Sequence, residues 1–201
     1  MLVRIGCVVE GHGEYESAPI LIRRIAEEFD RTIEVRVPHP VRMARSKLLK
    51  PGELERAVEL AAINAGASGG ILVLLDSDDD CPAELGPKLL ERTRSARADM
   101  PSAIVLARRE FESWFLAAAR SLRGVRGYPE DLEPPPQPET IRGAKEWLAA
   151  RRRYAPRVDQ AALTSCFDLK LARSARSFDR CYREVIRLLG ILRARSECHS
   201  E

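Results

Sequence analysis

Ile71-Leu72-Val73-Leu74-Leu75 is an unbroken apolar run that ends in Asp76-Ser77-Asp78-Asp79-Asp80, four aspartates in five positions. A run this short, with Gly69-Gly70 ahead of it, reads as a strand buried on both faces, the kind found inside parallel sheets. Open α/β sheets carry their chemistry at the carboxyl ends of such strands. Carboxylates packed this closely repel one another, and their pKa values rise unless a cation or water screens them. An acid cluster at this point therefore asks for a metal ion, and the rest of the chain can be read as its frame.

The flanking pattern supplies that frame. Leu2 to Val9 is apolar and β-branched, a first strand that stops at Glu10-Gly11-His12-Gly13-Glu14. From Tyr15 the apolar residues Ala18, Leu21, Ile22, Ile25, Ala26 and Phe29 recur at helical steps. Thr32 to Val37 alternates as a second strand, closed by Pro38-His39-Pro40. A basic loop (Arg42, Arg45, Lys47, Lys50) leads to a helix after Pro51-Gly52 that runs to about Ala65. Beyond the central strand, Pro82 suits the first turn of a helix ending near Ala98, and Ser102 to Ala107 is a fourth strand. The alternation predicts a four-stranded parallel sheet with right-handed crossovers and helices on both faces, a Rossmann-like α/β fold. Residues 1–119 form this domain. Residues 120–201 form an all-helical extension, with a stiff connector around Pro134-Pro135-Pro136. Its helices are expected over about Glu139–Arg153, near Asp159–Ala172 and over Phe178–Leu192, with frayed residues at the end.

Composition narrows the class. With 45% hydrophobic residues the chain can pack a core, and no apolar run approaches the roughly 18 residues of a membrane span. The amino terminus lacks the charged-then-apolar plan of a signal peptide. The five cysteines include no C-x-x-C pair, which suits a reducing cytoplasm and neither a disulfide scaffold nor a zinc site. Charge is unevenly placed: residues 1–119 carry 16 basic and 19 acidic side chains, residues 120–201 carry 17 and 11. Acids that hold metal, joined to arginines that hold phosphates, could work on a polyanion. Arginine-rich surfaces that follow from a GC-rich genome account for the same numbers equally well.

Two constellations could carry chemistry. Glu10 and Glu14 leave the first strand, and Asp76, Asp78 and Asp80 leave the third. In an extended segment alternate residues face one way, so these three aspartates are expected to share a side and Asp79 to point elsewhere. Oxygen ligands without histidine or cysteine favour Mg²⁺ or Mn²⁺. The plainer reading is that Glu14 merely favours a helix N-terminus and the aspartates end a strand and cap a helix. The pairing of both motifs on one sheet favours the metal. Cys81 reads as a packed helix-start residue, since no base is paired with it, and His12 only lines the glutamate turn.

Val9-Glu10-Gly11-x-x-Glu14 and Asp76-x-Asp78-x-Asp80 resemble the signature of the Toprim domain. That domain is shared by topoisomerases, bacterial primases, small maturation ribonucleases and the nucleases of the OLD (overcoming lysogenisation defect) family. The chain is most similar to a small stand-alone Toprim-like family of prokaryotes. That family's further marks are a segment like Arg109-Glu110-Phe111-Glu112-Ser113-Trp114-Phe115 and a late Arg176-Ser177-Phe178 preceded by Ser174. The resemblance implies that Glu10 is a general acid/base or metal ligand and that Asp76 and Asp78 ligate metal. Glu14 would be a second-metal ligand and Asp80 a support. Glu110 or Glu112 could complete the site, or equally open a helix whose aromatics enter the core. Lys170 and Arg173 are candidates for holding substrate phosphate, against the commoner alternative of a solvated helical face. No topoisomerase tyrosine domain, primase zinc module or fused ATPase is recognisable.

The expectation is a Mg²⁺- or Mn²⁺-dependent nuclease subunit acting on DNA or RNA. The resemblance further implies a separate ABC-type ATPase partner and a role in phage or plasmid defence. The alternative is a non-catalytic, metal-holding partner of such an ATPase. A haloacid-dehalogenase-type phosphatase ranks last, because that fold wants its nucleophile on the first strand.

Overall fold

A computed structural model of the chain describes residues 1–198; the last residues, 199–201, where fraying is expected, lie outside the described residues. The elements run β1 (Leu2–Val9), α1 (His12–Phe29), β2 (Glu34–Arg36), β3 (Val41–Arg42), α2 (Arg45–Leu48), α3 (Glu53–Ala65), β4 (Gly70–Asp76), α4 (Pro82–Ala96) and β5 (Ser102–Ala107). After these come α5 (Ser113–Ala117), three single 3₁₀ turns, α6 (Ala144–Ala149), α7 (Pro156–Thr164), α8 (Leu169–Ala172) and α9 (Arg176–Cys198).

The sheet is parallel throughout and ordered β2-β1-β4-β5. It has five strand segments where the pattern predicts four. Pro38 and Pro40 interrupt the edge strand, so β2 pairs with Leu2–Arg4 and β3 resumes the same edge beside Val8 and Val9. Proline lacks the ladder donor and is tolerated on such an edge.

Side-chain alternation divides the core in two. On one face, Val3, Ile5, Cys7 and Val9 of β1, with Leu72 and Leu74 of β4, pack against α1 and α9. On the other, Val8, Ile71, Val73 and Leu75 pack against α2, α3 and α4. Gly6 lets α3 press onto β1, since a Cβ there would lie 2.1 Å from the Ala61 carbonyl oxygen.

The extension is less regular than its pattern predicts. The stretch expected as a helix over 139–153 is α-helical only in α6, with a single 3₁₀ turn at Pro138–Thr140, and the one expected over 159–172 is split into α7 and α8. Tyr128 and Leu132 of the proline-rich segment are buried in the core of the α1 face, to which α7, α8 and α9 also contribute. A chain of aromatic contacts ties this part to the loop after β5. Phe111 meets Trp114 at 4.5 Å, Trp114 meets Phe178 at 5.2 Å, and Phe167 bridges Phe115 and Phe178. Trp114 Nε1 donates to Ser177 Oγ, which also accepts from the Arg108 N–H. The Trp114 and Ser177-Phe178 motifs are thus a structural knot that fixes α9 against the exit of β5.

Candidate functional site

From β1 the chain turns outward through α1 to the β2/β3 edge, then crosses back over β1 by α3 to form β4. β1 and β4 are neighbours, in register from Ile5↔Gly70 to Val9↔Leu74. Their outgoing connections leave on opposite faces, which opens a crevice at their carboxyl ends, the switch point where open α/β sheets bind ligands. Glu10 follows β1 and Asp76 ends β4, so both motifs open onto this crevice. It is a cleft of about 470 Å³ lined by Glu10, Glu14, Asp76, Lys145, Arg157 and Gln160, among others.

The acids differ in what holds them. Glu14 is 6% exposed; its Oε2 accepts from the Gly11 N–H at 2.9 Å and its Oε1 from Gln160 Nε2 at 3.0 Å. Gln160 reaches it because Gly13 has no side chain, a Cβ there falling 1.7 Å from Gln160 Oε1. Asp76 Oδ1 accepts from the Phe111 N–H at 2.8 Å, a bond aimed by the loop in which Arg109 adopts a φ of 62°. Glu112 is fully buried; its Oε1 accepts from the Tyr154 hydroxyl at 2.9 Å, and its Oε2 lies 3.1 Å from Lys145 Nζ. Lys145 Nζ stands 3.7 Å from Glu110 and 3.9 Å from Asp76. Glu10 Oε2 is buried and accepts no hydrogen bond.

The electrostatics follow from this crowding. Burial, reinforced by Asp78 and Glu14, pushes the Glu10 carboxyl above its usual range. Burial, with the charges of Glu14, Glu112 and Glu10, holds Asp76 well above its own, against the opposing pull of Lys145. Burial alone would lower the Lys145 pKa, but Glu112, Asp76 and Glu110 outweigh it and raise it. Carboxylates outnumber the two cations of the cleft, Lys145 and Arg157, so each acid feels net repulsion from its neighbours.

The aspartates do not share one side as alternation predicts. β4 ends at Asp76, and Asp78 takes a φ of 48°, so the segment beyond is a tight turn. Arg45 straps that turn, donating to the carbonyls of Asp76 and Ser77 and pairing with both Asp78 and Asp80. Asp78 is still near enough for its charge to act on Glu10. Asp80 is spent on Arg45. Asp79 faces away, toward Arg109 and Arg142.

Lys170 and Arg173 are not brought to the cleft. Lys170 shares a groove with Glu27 and Glu28, 13 residues along α1 from Glu14 and so about 20 Å away. Arg173 lies over the Tyr182 ring and pairs with Asp179. In their place the structure supplies Lys145, Tyr154 and Gln160, none of which stands out in the sequence. The one cue for Lys145 is Gly143, whose left-handed φ of 73° starts α6.

A family model described as a domain of unknown function, DUF4276, matches residues 9–200. The chain belongs to the DUF4276 family. The DUF4276 match begins one residue ahead of Glu10 and takes in Asp76, Glu112, Lys145 and Gln160, so every side chain of the cleft lies within it. No curated protein and no solved structure matches the chain significantly. Among the described residues of this DUF4276 chain, no helix is long and apolar enough to cross a membrane. None of its groups of three or more His, Cys, Asp and Glu side chains, again among the described residues, is placed to hold a metal ion.

Proposed function

We propose that this DUF4276 chain is a Toprim-like, Mg²⁺- or Mn²⁺-dependent nuclease subunit that hydrolyses phosphodiester bonds in DNA or RNA. The observation that carries the reading is the convergence of Glu10 and Glu14 with Asp76 at the β1/β4 switch point, with Glu10 and Asp76 both held above their usual pKa ranges. Such a cleft repels a phosphodiester until a cation is added. The donor set is all oxygen, and the buried Glu10 Oε2 lacks a partner. That fits a hard divalent ion, and Mg²⁺ needs only one or two carboxylates because water and substrate phosphate complete its shell.

On this reading Asp76 and Glu14 hold the ion, Asp78 supports it from the turn, and Gln160 and the Phe111 N–H keep the two ligands in place. When bound, the ion activates water and offsets charge on the phosphoryl group. Glu10 Oε2 takes the proton of the attacking water, a task for which a raised carboxyl pKa is suited. Lys145 Nζ lends positive charge beside the phosphate. The resemblance to the OLD nucleases suggests a separate ABC-type ATPase partner and a defence role.

Plasmid and RNA cleavage with Mn²⁺ or Mg²⁺ tests this. Wild type is expected to cut, and Asp76→Asn and Glu10→Gln to be inactive; activity unchanged in both variants would overturn it. One observation favours a non-catalytic second reading: Lys145 already sits as a built-in cation among three carboxylates. Metal binding without cleavage, alone or with the ATPase, would select that reading.

A further inference from the structure

Beside the acid cleft runs a second, larger groove of about 870 Å³, walled by the start of α4, the exit of β5, the proline-rich segment and the start of α9. Arg108, Arg176 and Arg180 line it, all three exposed. Most arginines near the site are tied down: Arg45 to Asp78 and Asp80, Arg109 and Arg142 to Asp79, Arg152 to Asp159. The side chains of Arg108, Arg176 and Arg180 make neither an ion pair nor a hydrogen bond among the described residues. Three unpaired guanidinium groups around one groove attract anions strongly. Glu139, which also lines the groove, accepts from the main-chain N–H groups of Arg176 and Ser177 at 2.9 and 2.8 Å, holding the start of α9 and leaving the guanidinium groups free. The groove's position relative to the cleft is fixed by the sheet, since Arg108 follows Ala107, the residue paired with Asp76.

We propose that this groove holds the sugar–phosphate backbone of the nucleic-acid strand whose phosphodiester enters the acid cleft. The proposal rests on the nuclease reading for the identity of the anion. Guanidinium groups pair with phosphate oxygens in bidentate fashion. Each phosphate neutralised releases counterions, so the arginines set a salt-dependent affinity that carries no sequence preference.

The test is fluorescence anisotropy of a labelled single-stranded oligonucleotide and of its duplex, titrated with the full chain in the presence of Ca²⁺ across a salt series. The Arg108→Gln/Arg176→Gln/Arg180→Gln variant is expected to bind at least tenfold more weakly. Its plot of log affinity against log salt should be shallower by about 2–3. A control with equal charge loss elsewhere, Arg23→Gln/Arg31→Gln/Arg36→Gln, should keep the wild-type slope. The proposal is overturned if wild type does not bind, or if groove and control variants share one affinity and slope. Failure of the nuclease reading is separate: binding that depends on the groove without any cleavage retires the hydrolysis, and cleavage indifferent to the groove variant retires the groove alone.

Discussion

Asp76 is the residue on which stability and chemistry pull in opposite directions. Its carboxyl is held above the ordinary 3.8, so the folded chain binds that proton more tightly than the unfolded chain does. The resulting stabilisation is complete below pH 3.8 and is lost as pH rises through the folded value. Asp76→Asn keeps an oxygen for the Phe111 N–H and removes the charge. At pH 7.5 without metal its Tm is expected to exceed wild type by a few degrees, the scale of about 1 kcal/mol in a domain of this size, and the gain should vanish near pH 4. A melting series across pH checks both statements; a lower Tm at pH 7.5 would remove the repulsion argument. Tyr154→Phe acts in the other direction. It strips Glu112 Oε1 of its donor in a fully buried setting and is expected to cost roughly 1–3 kcal/mol in chemical denaturation.

Among elements, the strands were the most legible from sequence. β1 and β5 begin and end where their apolar runs do, and β4 extends one residue beyond its run at each end. A strand buried on both faces must be apolar throughout, and that signal is hard to mimic. The extension ahead of α9 was harder to read because its helices are short, six residues in α6, nine in α7 and four in α8. Cys166 and Phe167 end one turn and start another without a glycine or proline to mark the break. Lys145 was illegible for a related reason: its neighbours are Glu110 and Glu112, 35 and 33 positions away, and only the fold pairs them. The aspartate turn was misjudged because alternation holds only while the strand lasts, and β4 stops at Asp76.

Two element-scale predictions follow from the packing. Gly6→Ala forces α3 away from β1 and is expected to destabilise by at least ~1–3 kcal/mol, seen as a lower urea midpoint. Asp159 caps α7 through the Ala155 N–H and pairs with Arg152. Burial opposes its ionisation, but these bonds outweigh burial and hold the carboxyl below 3.8. That stabilisation is present above pH 3.8 and lost as pH falls through the folded value. Asp159→Asn should therefore lose about 1–2 kcal/mol at pH 7, and the gap should close toward acid pH.

For the whole molecule, the decisive feature is the order of the strands. Because β1 and β4 are adjacent while their crossovers leave on opposite faces, two turns some 65 residues apart in sequence share one crevice. Both motifs were visible beforehand; their meeting depended on that order. Acids then gather at the switch point, and unpaired arginines stand one strand further along, at the exit of β5 and the start of α9. This division of charge suits an ion on one side and a phosphate chain on the other. The most direct test is isothermal titration of the purified full chain with Mn²⁺ at pH 7.5. The account predicts saturable binding in wild type that Asp76→Asn and Glu14→Gln each weaken at least tenfold, with Arg23→Gln unaffected. Absent binding, or equal affinity in all four proteins, would contradict it.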